Sequence, residues 1–500
     1  MDLQRREIKI ASVFIVIGIL LGSIVAYAAT PSSTFWITSG VYPGAPSYTI
    51  FREGSNYFAK DANGQIDYSG TNASQVINNA IQPNTQVYLV NGVYETDSSI
   101  LLDEANATLI SDEWAVIQCS ANVPVINVTR PSGEINYNII RGLKLLGKAN
   151  TETNAHGIWT YNDFGLVVED VYISNCRVGI YLLDSQWSKF HNIRMEAITE
   201  WGTSAVWRGI YMDAVQAPPN YGSLTYFSDV KIYEPTDVGV MIVQAEIVDM
   251  SYVIVAGPSS VGFWIQYINS YAKFRGCESD TTGNYAWYVF NNPSRWLQMD
   301  LIGCFGRLDP SITSKAALFI HNSSGIKVIG GEWRAGNSPV VHLKDSSHIR
   351  LDDMEIRAHD LGADPTPNYN NGIWLQDADY IQISNVHIMT VWATSSTYAG
   401  IKEDYTEADC SGLQIANVII GYEGTLGFGM TIDSNMSMVS NSYPVNYQTT
   451  ALAWGSFDPD TNLNGVFGDG TEIVVYTSDS GGSSRLYIKT NAQWDYLALT

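Results

Sequence analysis

From residue 85 onward, apolar and polar residues alternate in short runs, and Gly, Asn, Asp and Ser interrupt them before any helical period is established. One four-residue pattern recurs: a small residue, an apolar one, a bulky one, then usually another apolar one. It reads Gly157-Ile158-Trp159-Thr160, Gly179-Ile180-Tyr181-Leu182, Gly209-Ile210-Tyr211-Met212 and Gly239-Val240-Met241-Ile242. It continues as Gly262-Phe263-Trp264-Ile265, Ala286-Trp287-Tyr288-Val289, Ala317-Leu318-Phe319-Ile320 and Val340-Val341-His342-Leu343. The last copies are Gly372-Ile373-Trp374-Leu375, Gly400-Ile401-Lys402-Glu403 and Gly429-Met430-Thr431-Ile432. Successive copies start 22 to 32 residues apart. A second short apolar strand accompanies the motif, as at Val171–Ile173, Ile326–Val328, Ile349–Leu351, Ile381–Ile383 and Leu413–Ile415.

A repeat of that length with short strands and no helix pair predicts a β-solenoid, one coil per repeat, with loops of variable length at the corners. The fold class expected is therefore all-β, a right-handed parallel β-helix. Alternation along each strand turns the flanking apolar side chains inward and the bulky one outward. The outward column then holds Trp159, Tyr181, Tyr211, Met241, Trp264, Tyr288, Phe319, His342, Trp374, Lys402 and Thr431. An aromatic stripe of that length exceeds what a monomer usually leaves bare, so a cover is expected. The candidates are a glycan on the ring faces, the neighbouring subunit of a homotrimer, or the chain's own loops. Trp159, Tyr181, Tyr211, Trp264, Tyr288, Phe319 and Trp374 are the candidate substrate-binding residues.

The first residues carry a different message. Arg5, Arg6 and Lys9 precede Ile10–Ala29, a stretch without a single charge. Twenty residues at about 1.5 Å each just cross a bilayer core of about 30 Å, and the basic flank puts the start inside the cell. Ala26-Tyr27-Ala28 also reads as a signal-peptidase site, so anchor and cleaved signal both stand. Either way the body is expected outside. The sequons at Asn72, Asn106, Asn127, Asn322 and Asn435 agree with export. The chain divides into a signal or anchor at 1–30, a linker with the first strands at 31–64, the solenoid at 65–445 and a small β module at 446–500.

Composition narrows the partners. The chain has 500 residues, with 27 Lys+Arg against 50 Asp+Glu for a net charge of −23. Phosphate backbones would be repelled, which argues against nucleic acid. Hydrophobic residues at 45% and charged ones at 15% exclude a disordered chain. Five Cys are too few to scaffold such a length.

The opening of the solenoid carries a family resemblance. Ser69-Gly-Thr-Asn-Ala-Ser74 runs through Ile77, Ala80 and Ile81 to Val87-Tyr-Leu-Val90 and Gly92-Val-Tyr94. With the coils that follow, it resembles the pectate-lyase-like β-helix superfamily over roughly residues 65–440, in particular the rhamnogalacturonase and tailspike-like branch. The resemblance implies a short capping helix, a first strand and a Gly-x-Tyr turn. It implies polysaccharide as the partner, in a superfamily that holds lyases, hydrolases, epimerases and inert binding proteins. Of the polygalacturonase signatures only Asp352-Asp353 and Ala155-His156-Gly157 are present, many coils apart. No mechanism carries over residue by residue.

Candidate chemistry comes from aligning the coils. Glu278, Phe305, Glu332, Glu355 and His387 share one position, and Asp280, Arg307, Arg334, Arg357 and Met389 lie two residues on. Coils about 4.8 Å apart would put Glu332 and Glu355 about 5 Å apart and Glu278 about 10 Å from Glu332. The first spacing suits a retaining glycosidase, the second lies near the upper end for an inverting one, and Arg334 or Arg357 suits the base or clamp of a lyase. Glu278, Asp280, Glu332, Arg334, Glu355 and Arg357 are thus the catalytic candidates. The plainer alternative is a Glu–Arg ladder that relieves repulsion between coils. Cys277 and Cys304 fall at equivalent inward positions, as a disulfide or as part of a buried thiol column with Cys176. Asp458, Asp460, Asn462 and Asp469 have the spacing of a Ca2+ loop, with Leu463 where the turn wants Gly. An ordinary polar turn is the alternative there, and a short β-meander should follow over 470–500.

Overall fold

The computed structural model describes residues 46–129, 137–148, 154–196, 208–213, 224–281, 283–292, 298–309, 311–312, 315–336, 338–358, 371–390, 399–404, 412–416 and 418–422, then the strands at 428–431, 451–454, 472–476, 484–490 and 493–499. Each coil contributes to three parallel sheets, called A, B and C here in the order the chain visits them. Sheet A runs from Gln86–Leu89 through Ile268–Arg275 to Gln414–Ala416. Sheet B runs from Val93–Thr96 through Glu278–Thr281 and Glu355–Arg357 to Ala451–Trp454. Sheet C holds thirteen strands from Ile100–Leu101 to Phe428–Thr431, and all its pairings are parallel and in register. The fold is a parallel β-helix.

Two local rules explain why this sequence coils. The corner between sheets A and B carries a residue in the left-handed region: Asp170, Asn192, Asp229, Gly276, Gly303, Gly330, Asp353 and Asn385 all have φ between 50° and 68°, and Gly331 follows Gly330 there with φ of 88°. Gly, Asn and Asp tolerate that region best, which is why they punctuate the sequence at this corner. Trp114 and Tyr252 occupy the same corner with φ of 59° and 56°. The second rule concerns the glycine of the repeated motif. A Cβ on Gly157, Gly179, Gly209 or Gly239 would lie 2.5–2.8 Å from the carbonyl oxygen of the matching glycine one coil on. In these coils glycine is needed because the backbones approach too closely there for a side chain.

Inside, side chains stack in columns. Ile158, Ile180, Ile210, Val240, Phe263, Trp287, Leu318, Val341 and Ile373 form one inward column of sheet C, all fully buried. Phe263 and Trp287 stack in it at 3.9 Å. Cys119, Cys176, Cys277 and Cys304 are buried free thiols, so among the two readings of Cys277 and Cys304 the structure has the unbonded one. Burial pushes the Cys176 thiol up to about 12 and raises Cys304 as well, which keeps both protonated and inert.

The helix Ala73–Ala80 closes the first coil. Asn72 caps it by accepting from the Gln75 amide, and Ala73, Val76, Ile77 and Ala80 face the core. Tyr94 donates its hydroxyl to the Val90 and Ile50 carbonyls, which locks the Gly-x-Tyr turn. Tyr48–Glu53 pairs antiparallel with Asn56–Asp61 and parallel with Gln86–Leu89, so the first strands prolong the solenoid's own sheet. At the far end Glu472–Tyr476, Ser484–Thr490 and Gln493–Leu499 form the expected antiparallel meander. Residues 10–29 lie outside the described residues. No helix among the described residues is long and apolar enough to cross a membrane.

Candidate functional site: the outer face of sheet C

The register places every member of the expected stripe on one line. Trp159 pairs with Tyr181, then Tyr211, Met241, Trp264, Tyr288, Phe319, His342, Trp374 and Lys402 in succession. The orientation of the rings differs from the expectation. Tyr288 and Phe319 stack at 5.4 Å and 7°, Phe319 and His342 at 4.8 Å and 26°, His342 and Trp374 at 4.3 Å and 8°. The Lys402 ammonium caps the series 5.4 Å from the Trp374 ring. Between Tyr288 and Trp374 the ring faces are therefore spent on one another, and no glycan lies flat on them. Rings stacked this closely satisfy their own quadrupoles and bury their neighbours' faces. Phe319 is buried and the others half-buried, so the stripe is also far less bare than its sequence implied.

A second outward row, two residues on, supplies polar groups that the repeat pattern did not single out. Tyr211 donates its hydroxyl to Asp213 at 3.2 Å, and burial with the adjacent Asp213 charge pushes its pKa up to about 12. Arg208 lies 5.0 Å from the Tyr211 ring and bonds Asp237 of the following coil at 3.3 Å. His321 meets Asp345 at 3.1 Å, and Gln266 accepts from the Trp264 indole at 3.4 Å. Two histidines of this face are held neutral by burial: His156, edge-on to Tyr181 at 5.2 Å, is lowered to about 4, and His342 to about 3.

On sheet B the catalytic candidates fall into the expected register. Glu278, Phe305, Glu332, Glu355 and His387 are paired in order, with Asp280, Arg307, Arg334, Arg357 and Met389 beside them. Arg334 donates to Glu332 at 2.5 Å, and Arg357 bridges Glu332 at 2.8 Å and Glu355 at 2.6 Å. Bonding to Glu355 raises the Arg357 pKa further. Asp280 and Arg307 stand 4.0 Å apart, and Glu278 is exposed. Each of Glu332 and Glu355 thus meets a guanidinium, the arrangement that a Glu–Arg ladder between coils requires.

No protein-family model and no curated protein matches the chain. Solved structures do. Tailspike protein 3 of bacteriophage CBA120 is similar over 85% of this chain and 66% of its own, at 11% identity and a TM-score of 0.53. The A-module of the mannuronan C-5 epimerase AlgE6 of Azotobacter vinelandii covers 72% of this chain and 94% of its own, at 14% identity and a TM-score of 0.43. PfbA, a surface adhesin of Streptococcus pneumoniae, covers 86% and 95%, at 9% identity and a TM-score of 0.42. What the likeness to the tailspike shows is the parallel β-helix fold, in agreement with the sheets described above. At such identities the likeness concerns the fold.

Elsewhere on the β-helix, sheet A carries further charged groups, of which the sequence pattern had marked only Asp352. Asp249 pairs with Arg275 at 2.7 Å, and burial raises its pKa despite that partner. Asp300 is only 8% exposed, with one carboxylate oxygen accepting from Gln298 and the other without a hydrogen-bond partner. Asp352 accepts from Arg350, Ser384 and Asn385, which hold its carboxyl below the usual range. The sequons at Asn72, Asn106 and Asn322 spend their amide nitrogens on Asp97, Asn84 and Asn291. Asp458, Asp460, Asn462, Asp469 and Asn435 lie outside the described residues. Among the described residues no group of three or more His, Cys, Asp or Glu is placed to hold a metal ion.

Proposed function

We propose that this chain is a glycan-binding β-helix of the cell surface, with sheet C as its binding face and residues 10–29 as its export signal or anchor. The observation that carries the reading is the make-up of that face. One aromatic and one mostly polar row run side by side along the solenoid, one residue of each per coil, on a chain too acidic to favour nucleic acid. A polysaccharide is itself a repeating, amphipathic polymer, and a repeating face of ring edges and hydrogen-bonding groups matches it. Sheet B, whose carboxylates are paired with arginines, serves on this reading as a structural ladder.

The test is retention on gels carrying mannuronan, polyguluronate or α-1,3-glucan, with assays for new reducing ends and unsaturated uronates. Retention by at least one gel without release of products is expected. Release of products would replace the binding reading with an enzymatic one, and passage through all three gels would overturn glycan binding for these polymers.

A further inference from the structure

The aromatic column has one break. From Trp159 to Trp374 every residue of the outward column carries a ring except Met241. Tyr211 and Trp264 therefore stand on either side of it, two coils apart, about 9.6 Å at the usual strand spacing. That is roughly one ring thickness more than two stacked neighbours need. Tyr211 makes its ring contact with Tyr181 at 4.8 Å on one side, and Trp264 makes its own with Tyr288 at 5.1 Å on the other. Tyr211 is tilted at 55° to Tyr181 and Trp264 stands edge to face with Tyr288 at 69°. The Arg208 guanidinium lies over the Tyr211 ring at 5.0 Å, and between the two coils Met241 offers a flexible thioether, which adapts its shape to whatever lies over it. Three polar residues surround the same place. Arg208 leans from the Tyr211 strand towards the Met241 coil to reach Asp237, Asp213 holds the Tyr211 hydroxyl, and Gln266 sits beside Trp264 with an amide that carries two donors.

We infer that the break at Met241 is a sugar subsite that takes a single pyranose unit of a polysaccharide, an assignment that rests on the glycan-binding reading above. A pyranose is the occupant that this chemistry fits. Its C–H face matches the Trp264 ring and the Met241 thioether, while its hydroxyls meet Arg208 and Gln266. An aromatic or aliphatic peptide side chain would fill the gap but leave the polar rim unanswered, at the cost of desolvating it. From Tyr288 to Trp374 the stripe differs, because its ring faces are already stacked.

The decisive variant is Met241→Trp, which puts a ring where the series lacks one. It should keep or raise the melting temperature and weaken retention on the gel that holds the wild type by at least tenfold. Gln266→Ala, which leaves every ring in place, should weaken retention severalfold. Retention within twofold of the wild type in both folded variants would overturn the subsite while leaving glycan binding intact. If Met241→Trp fails to fold, Gln266→Ala together with Tyr211→Leu decides by the same criterion. A wild type that no gel retains would overturn the broader reading and this one with it.

Discussion

His342 offers a direct measure of how much the stacked rings depend on a neutral imidazole. It lies between Phe319 at 4.8 Å and Trp374 at 4.3 Å, and its Nε2 is buried without a hydrogen-bond partner. Burial, with Lys344 and His321 nearby, lowers its pKa from 6.5 to about 3 against an opposing hydrogen bond with Gln376. The unfolded chain therefore binds the proton first. The stabilisation is complete above pH 6.5 and is lost as pH falls towards the folded value. By linkage, a histidine with these two values loses about 2 kcal/mol of stability between pH 8 and pH 5. His156, lowered to about 4, loses about as much over the same range. His342→Phe keeps a ring in the stack and removes the titrating nitrogen. At pH 8 the variant should lie within about 1 kcal/mol of the wild type, since the unpartnered Nε2 is gone and the hydrogen bond with Gln376 goes with it. Between pH 8 and pH 5 it should lose about 2 kcal/mol less than the wild type. Urea unfolding at the two pH values, with His156→Phe alongside, reads both quantities. Asp249, whose raised pKa acts in the opposite sense, is common to all the proteins and cancels in the difference. Equal pH dependence in wild type and His342→Phe would show that the imidazole is solvated and that the stack is looser than the distances state.

Two further outcomes follow from the same reasoning. Glu332→Gln removes the carboxylate shared by Arg334 and Arg357 and should lower stability by about 1 kcal/mol while leaving glycan retention unchanged; loss of a measurable turnover with unchanged stability would instead make Glu332 catalytic. On intact cells carrying the protein, an added protease should degrade the solenoid, because Arg5, Arg6 and Lys9 hold the start of the chain inside; protection until lysis would reverse the orientation.

The stripe was legible because its cause is local. Gly179 and Gly209 recur where a Cβ would strike the next coil, so the motif marks the register of sheet C in the sequence itself. The Glu332–Arg334 and Glu355–Arg357 pairs were legible for a similar reason, since a two-residue period fixes which side chains share a face. The third sheet was harder to read. Asp170, Asn192 and Asp229 turn the chain with one residue each, so Val167–Ser174, Lys189–Glu196 and Thr225–Tyr233 run unbroken across the corner. Ring orientation was not legible at all, because it depends on side-chain torsions set by the coils above and below. Asp213, Gln266 and His321 escaped notice because each is a single polar residue at the end of an apolar copy. The burial of Asp249 and Asp300 depends on the long side chains around them, which no spacing in the sequence encodes.

Met241 joins the structural and functional sides of this face. A stacked aromatic pair adds about 0.5–1.5 kcal/mol beyond its buried area, so continuing the series through residue 241 would stabilise the solenoid. The chain forgoes that gain at one coil, and does so where Arg208, Asp213 and Gln266 gather at the rim. A local departure from an otherwise consistent pattern is where function is expected to show itself. The rings on either side are held in place by their outer neighbours, Tyr181 and Tyr288, so the gap is walled by pre-ordered surfaces. Binding there would order few side chains, which lowers the entropic cost of taking up a sugar. The ring contacts on the outer sides of Tyr211 and Trp264, with the Arg208–Asp237 bridge across to the Met241 coil, thus hold the rim of the break in place before a sugar arrives.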